Sequence, residues 1–289
     1  MEELKTWHLA RNMKDKEFII RETNNLDELH VVEKLQGAAL GYPEMQVLGS
    51  NEMATIQKNG GVILIVYDDQ VHKAIGFLIG FVGSQSGEIY QHLLSMGVLP
   101  DYRSIGIGFG LVSKQIEYAQ MQGIEYITSY IDPLQGSISK LIVGKFRGKV
   151  MGYFPNLFGS GLEGIDRGLD TDRFSVRINI KNLDIPFSSF PNPDAEQLLD
   201  KTAKVNETLF HKGFRKIIGY KLDLNGSRLL VEVPHDIQKM KSADMGLAQD
   251  WRSKVRDIFG ILIPKYHVVD FVSIKRSEVR NFFVFELLE

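Results

Sequence analysis

The chain has 289 residues, 44% hydrophobic and 24% charged, with a formal net charge of -2. That profile suits a globular protein of one large or two modest domains, and it gives no overall charge to attract nucleic acid or an anionic membrane. Cysteine is absent, which excludes disulfides, thiolate metal sites and a cysteine nucleophile.

The opening MEELKTWHLARNMKDKEF is charged and lacks the apolar core of a signal peptide. No apolar run reaches the roughly 18 residues of a membrane span, so a cytoplasmic protein without a membrane partner is expected. Leu26, Leu29, Val32 and Leu35 have helical spacing and predict a helix over 26–40. GVILIVY (61–67) and KAIGFLIGFVG (73–83) flank a DDQ turn and predict a strand hairpin. EIYQHLLSMGV (88–98) predicts a third strand, stopped by Pro100. A helix follows from about Ile107 to Gln122, burying Phe109, Val112, Ile116 and Ala119, with Gly123 suited to its end. IEYITSYI (124–131) returns as a strand, so 88–131 forms a β-α-β crossover, expected to be parallel and right-handed. SISKLIVGKF (137–146) predicts a short helix, and KVMGYFPNLFG and DRFSVRINI two more strands.

NLDIPFSSFPNPD (182–194) holds three prolines and predicts a linker between a first domain, 1–180, and a smaller α/β unit, 181–289. That unit is expected to contain a helix at 194–212, a strand pair at 216–224 and 228–233, a helix at about 236–260, and two closing strands. VLPDYRS (98–104) is echoed by VEVPHDIQ (231–238), each ahead of a helix that leads into a strand. A degenerate repeat explains the echo, and so does chance recurrence of a strand–Pro–helix junction.

The stretch GVLPDYRSIGIGFGLV (97–112) sets Gly106, Gly108 and Gly110 at alternate positions where a strand gives way to a helix. Each glycine inside a helix costs about 1 kcal/mol relative to alanine, so backbone access matters more here than side chains. Amides exposed at such a corner, together with the helix dipole, form an anion site suited to phosphate. A P-loop would need Gly-Lys-Ser/Thr, and a dinucleotide fingerprint would need Gly-x-Gly-x-x-Gly; neither is present. Arg103-Ser-Ile-Gly106-Ile-Gly108 does satisfy Arg/Gln-x-x-Gly-x-Gly/Ala.

With that motif and the crossover after it, the chain resembles the GNAT superfamily of acyl-CoA-dependent N-acyltransferases. More narrowly it resembles a branch known as predicted acetyltransferases, through DPLQGSISKLIVGKFRG (132–148), GYFPNLFG (152–159), GLDTDRF (168–174), LLVEVP (229–234) and WRSKVRDIF (251–259). It departs from that branch at Ile138 and Ile142, where asparagines are expected, and at Arg147, where glycine is usual.

The resemblance implies an α/β (α+β) fold: a mixed, mostly antiparallel sheet with a splayed central strand pair, plus the C-terminal unit. It implies acetyl-CoA as the bound donor, with no metal, and a small-molecule or peptide amine as acceptor. Arg103 belongs to the cofactor motif, and the amides of Ser104, Ile105, Gly106, Ile107, Gly108 and Phe109 are expected to hold the CoA diphosphate. The backbone near Val98 is expected to pair with pantetheine like an added strand, and the Met96 amide to polarise the thioester carbonyl. His92 matches the position of a catalytic base, or is a histidine hydrogen-bonded at a strand edge. Tyr153 is either an acid for the departing thiolate or a core ring, and Asp132 either a substrate contact or a turn-forming Asp-Pro. DTDR (170–173) reads as a turn more readily than as a metal site. A homodimer is compatible with this reading. So is a second function, a non-catalytic CoA-binding sensor or scaffold.

Overall fold

The computed structural model describes residues 6–7, 18–23, 25–181, 183, 195–223 and 226–288. The expected linker, apart from residue 183, lies outside the described residues. The chain forms two compact units. The first comprises Met1–Ser129, Glu163–Ile165 and Asn179–Ile185, and the second Tyr130–Leu162, Asp166–Ile178 and Pro186–Glu289.

In the first unit, β1 (Thr6–Trp7), β2 (Phe18–Glu22), β3 (Val62–Asp68), β4 (Lys73–Gln85), β5 (Glu88–Val98) and β6 (Tyr126–Ile131, whose last two residues are counted with the second unit) lie side by side in that order. The pairs are antiparallel except β5 with β6, which is parallel as the crossover requires. Helix α1 (Leu26–Leu40) starts at Asn25, whose side chain accepts the Glu28 N–H, and ends at left-handed Gly41. Its buried stripe of Leu29, Val32, Leu35 and Ala39 packs with Met53 of α2 (Ser50–Lys58) on Ile63, Ile65, Phe77 and Ile79. Helix α3 (Ile107–Met121) packs on β3, β4 and β5. Buried Gln115 and Gln91 link α3 to β5, Gln115 Nε2 donating to Gln91 Oε1 (3.3 Å), and Gln91 Nε2 continues to exposed Gln122 Oε1 just past the helix (3.0 Å).

In the second unit, α4 (Gly136–Ser139) passes into a π-helical stretch, Lys140–Lys145. The hairpin β7 (Lys149–Phe154) and β8 (Arg173–Asn179) follows. After α5 (Ala195–Lys201) and β9 (Ala203–Lys204), a separate hairpin forms from β10 (Asn206–His211) and β11 (Phe214–Tyr220). A four-stranded sheet has the order β13 (Tyr266–Lys275), β14 (Val279–Leu287), β12 (Arg228–Val233), β9. Helices α6 (Ile237–Ala243) and α7 (Met245–Leu262) connect β12 to β13. Phe174 meets Phe259 and Phe283 at ring-centroid distances of 4.9 and 5.3 Å, at the centre of an aromatic core.

Several sequence expectations are corrected. The compact units do not part at residue 180, because residues 130–162 and 166–178 share the core of the C-terminal segment. The helix expected at 194–212 stops at Lys201. Asn206 then locks extended chain by bonding the Glu232 carbonyl (2.9 Å) and N–H (2.8 Å). Strands 216–224 and 228–233 are not a pair: β11 joins β10, whereas β12 joins β14 and β9. The helix expected at 236–260 breaks at Asp244, whose side chain caps the Leu247 N–H of α7. Arg147 has φ +54, a left-handed conformation that favours glycine, and it pairs with Asp270 at 3.0 Å.

Candidate functional site

β5 carries the first part of the site. Ile79 of β4 faces Ser95 and Gly80 faces Leu93, so Leu94 is an extra, bulged residue. On its other side β5 pairs with β6 only from Gln91–Ile127 to Leu93–Ser129. Beyond that last rung, Leu94 to Val98, including Met96, runs on along β4 alone, which is the expected splay.

Leu99 N–H then bonds Ile75 O (2.9 Å), and a 3₁₀ turn, Pro100–Tyr102, carries the chain into the glycine corner. Arg103 folds back over that corner. Its Nε donates to Val98 O (3.0 Å) and its Nη2 to Ala39 O (2.7 Å), so it braces the end of β5 against the end of α1. Ser104 (φ +64) and Gly106 (φ +103) are left-handed, the kind of backbone in which successive amides form an anion-binding concavity. The Gly110 N–H to Gly106 O bond (3.1 Å) is the one that closes the first turn of α3. The amides of Ile107 and Gly108, ahead of it, have no intrahelical acceptor. The structure therefore gathers Ser104, Ile105, Gly106, Ile107, Gly108 and Phe109 around one corner, directly after the unpaired part of β5.

His92 sits on the paired part of β5, opposite Phe81 and Thr128. Its Nδ1 lies 2.9 Å from Thr128 Oγ1, and its ring is 5.0 Å from that of Phe81. Burial lowers its pKa to about 4, so it is neutral around pH 7. Thr128 was not singled out from sequence; only the β5–β6 register, which no local pattern encodes, makes it a partner of His92.

Tyr153 and Asp132 lie in the second unit. The Tyr153 hydroxyl donates to Asp172 Oδ2 (2.5 Å), and burial followed by that bond raises its pKa. The proton is thus committed to a neighbour rather than presented as an acid. Burial also opposes ionisation of Asp172, but bonds from Arg256, Tyr153 and the Asn156 N–H outweigh it and leave the carboxyl below its usual range. Asp132 accepts the Leu134 N–H (2.8 Å) and pairs with buried Arg252 (2.7 Å), which makes it a structural carboxylate of its turn. DTDR is likewise structural, since Asp170 and Asp172 both bind Arg256. Among the described residues no group of three or more His, Asp or Glu is arranged to hold a metal ion, and no helix is long and apolar enough to cross a membrane.

The later strand–Pro–helix junction differs in chemistry. There Asp236 places its own carboxylate on the Lys239 N–H of α6 (2.9 Å). At the second junction the protein supplies the anion itself; at the first it leaves glycine-flanked amides.

A mixed, mostly antiparallel sheet with a bulged, half-unpaired strand running into a glycine corner defines the class of the first unit. Residues 10–138 match the model of the acetyltransferase (GNAT) family, and this stretch is a GNAT acetyltransferase domain. Solved structures similar to the chain include an N-acetyltransferase from Staphylococcus aureus Mu50, at 20% identity over 57% of this chain and 99% of that one, TM-score 0.45. Others are the ribosomal-protein-S18-alanine N-acetyltransferase from Escherichia coli (16%, 58% and 99%, TM-score 0.45) and a phosphinothricin acetyltransferase from Sinorhizobium meliloti in complex with AcCoA (17%, 60% and 95%, TM-score 0.45). No curated protein matched the chain by sequence.

Proposed function

We propose that the chain is an acyl-CoA-dependent N-acyltransferase, acetyl being the simplest acyl group, which acts on a small-molecule or peptide amine by direct attack. The observation that carries this reading is the glycine corner: left-handed Ser104 and Gly106 with the amides of Ile107 and Gly108 ahead of the first turn of α3. A diphosphate fits that donor set, and no side-chain cap competes for it. Arg103 keeps the corner in shape rather than binding through its charge, because its guanidinium is taken by Val98 O and Ala39 O. With the Val98 carbonyl engaged, the pantetheine arm would pair with the stretch from Leu94 to Gly97. Acetyl-CoA supplies the activated acyl thioester when bound.

For their part, the residues orient and desolvate. The Met96 amide lies in the stretch of β5 that pairs with β4 and not with β6, where an N–H donor would stabilise developing oxyanion charge. His92, kept neutral by burial, can accept the proton that the amine must lose before it attacks. Thr128 holds the imidazole through Nδ1. A second reading, a CoA-binding protein without turnover, is favoured by the weak basicity of His92 and the engagement of Tyr153 with Asp172.

Calorimetric titration with acetyl-CoA tests the binding step. The native protein should bind, and Gly106→Val, for which φ +103 is strained, should bind at least about tenfold more weakly while still unfolding cooperatively at a melting temperature several degrees lower. Equal affinity in the two proteins refutes the corner assignment. Thiol release across an amine panel then separates the readings: amine-dependent release supports the enzyme, and binding without release supports the sensor.

A further inference from the structure

The β4–β5 hairpin of the first unit runs on past the strands that flank it. The last rung between β3 and β4 is Val62–Gly80, and β6 meets β5 only at Gln91, His92 and Leu93. The rungs Phe81–His92, Val82–Gln91 and Gly83–Tyr90 follow one another without a bulge. Side chains alternate along each strand and directly opposed residues share a face, so Phe81, Gly83, Tyr90 and His92 stand on one side of the hairpin. The other side carries Gly80 and Gln91 and belongs to α3, since a Cβ on Gly80 would lie 2.5 Å from Gln115 Nε2.

Along the first side, Phe77 and Ile79 are sealed in the core beneath α1 and α2. Phe81, the next residue on that face, is half-buried, and so is Tyr90. Tyr90 uses the side chain that Gly83 lacks. A Cβ on Gly83 would lie 2.6–2.8 Å from Cε2, Cζ and Oη of Tyr90, so the ring rests across the glycine.

His92 ties this face to the proposed chemistry. Its Nδ1 meets Thr128 on β6 (2.9 Å), which turns the opposite edge of the imidazole, Cδ2 and Nε2, toward β4. On that side the Phe81 ring lies 5.0 Å away, tilted by 41°. An amine that passes its proton to Nε2 therefore has Phe81 beside its nitrogen. Tyr90 stands one step further along the same face, about 7 Å on, a step that a two-carbon spacer between nitrogen and ring covers. All of these residues belong to the first unit.

We infer that Phe81 and Tyr90 are specificity-determining residues, which select acceptor amines bearing an aryl group about two carbons from the nitrogen. The inference rests on the proposed acyl transfer with His92 as the proton acceptor. Steady-state kinetics of the native protein, Tyr90→Ala and Tyr90→Phe would compare 2-phenylethylamine with ethylamine. Tyr90→Ala should raise KM for 2-phenylethylamine about tenfold, the order expected for losing one ring contact, with ethylamine and acetyl-CoA parameters within about twofold. Tyr90→Phe, which keeps the ring, should match the native protein. Unchanged 2-phenylethylamine kinetics in Tyr90→Ala, an equal loss for both amines, or an equal loss in Tyr90→Phe overturns the proposal. Gly83→Ala, which drives the ring off its seat, should reproduce the selective loss and replaces Tyr90→Ala if that variant does not melt cooperatively. Ligand-observed NMR with 2-phenylethylamine reads the face without turnover. If neither amine is acetylated, yet the native protein binds 2-phenylethylamine and Tyr90→Ala does not, the aryl subsite stands and the acyl-transfer reading falls. Equal binding by both proteins, or binding by neither, removes the subsite.

Discussion

His92 illustrates how one buried ring can tie function to stability. Its folded pKa of about 4 lies below the 6.5 of an ordinary histidine, and burial is the cause. Between those values the unfolded chain binds a proton that the folded protein refuses. Stability from this residue is therefore complete above pH 6.5 and falls as the pH drops toward 4, at up to about 1 kcal/mol per pH unit. Thermal melts of the native protein and His92→Gln should diverge across that window, the native protein losing more. Parallel melting curves would mean that the ring is not shielded. If His92 is the base, the same variant should lose on the order of 100-fold in turnover, while acetyl-CoA affinity is kept.

At the scale of elements, junction chemistry decides what each helix start can do. Asp244 divides what reads as one helix into α6 and α7, because its carboxylate on the Leu247 N–H (2.9 Å) competes with continuing the helix. Asp244→Ala should cost about 1 kcal/mol by chemical denaturation, and Asp244→Asn much less; equal losses would remove the cap from the explanation. The glycine corner, α3 and the parallel crossover were legible in sequence, since Arg103, Gly106 and Gly108 and the apolar stripe of Val112, Ile116 and Ala119 are local signals. The Leu94 bulge and the Thr128 partner of His92 were not, because register is settled by strand pairing between distant segments. The switch from α5 to β9 and β10 was also hidden, since it depends on Asn206 meeting Glu232. The alternative roles of Tyr153 and Asp132 could not be separated locally, because their partners Asp172 and Arg252 lie well away in sequence.

For the whole molecule, the decisive feature is the discontinuous second unit. Phe174 belongs to the segment before residue 180, but its ring partners Phe259 and Phe283 come after it. Asp132 and Asp172 likewise depend on Arg252 and Arg256. A fragment of residues 1–180 should therefore expose this core and strand two buried carboxylates. It should be insoluble or lack near-ultraviolet circular dichroism, and a soluble fragment with native-like aromatic signals would show that the first 180 residues stand alone. The same arrangement has a consequence in time. A ribosome extending the chain at about 5–20 residues per second would release Phe174 some 5–20 s before Phe283, about a hundred residues later. For that interval the nascent polypeptide carries an unfinished aromatic half-core, open to misassociation until the last strand emerges.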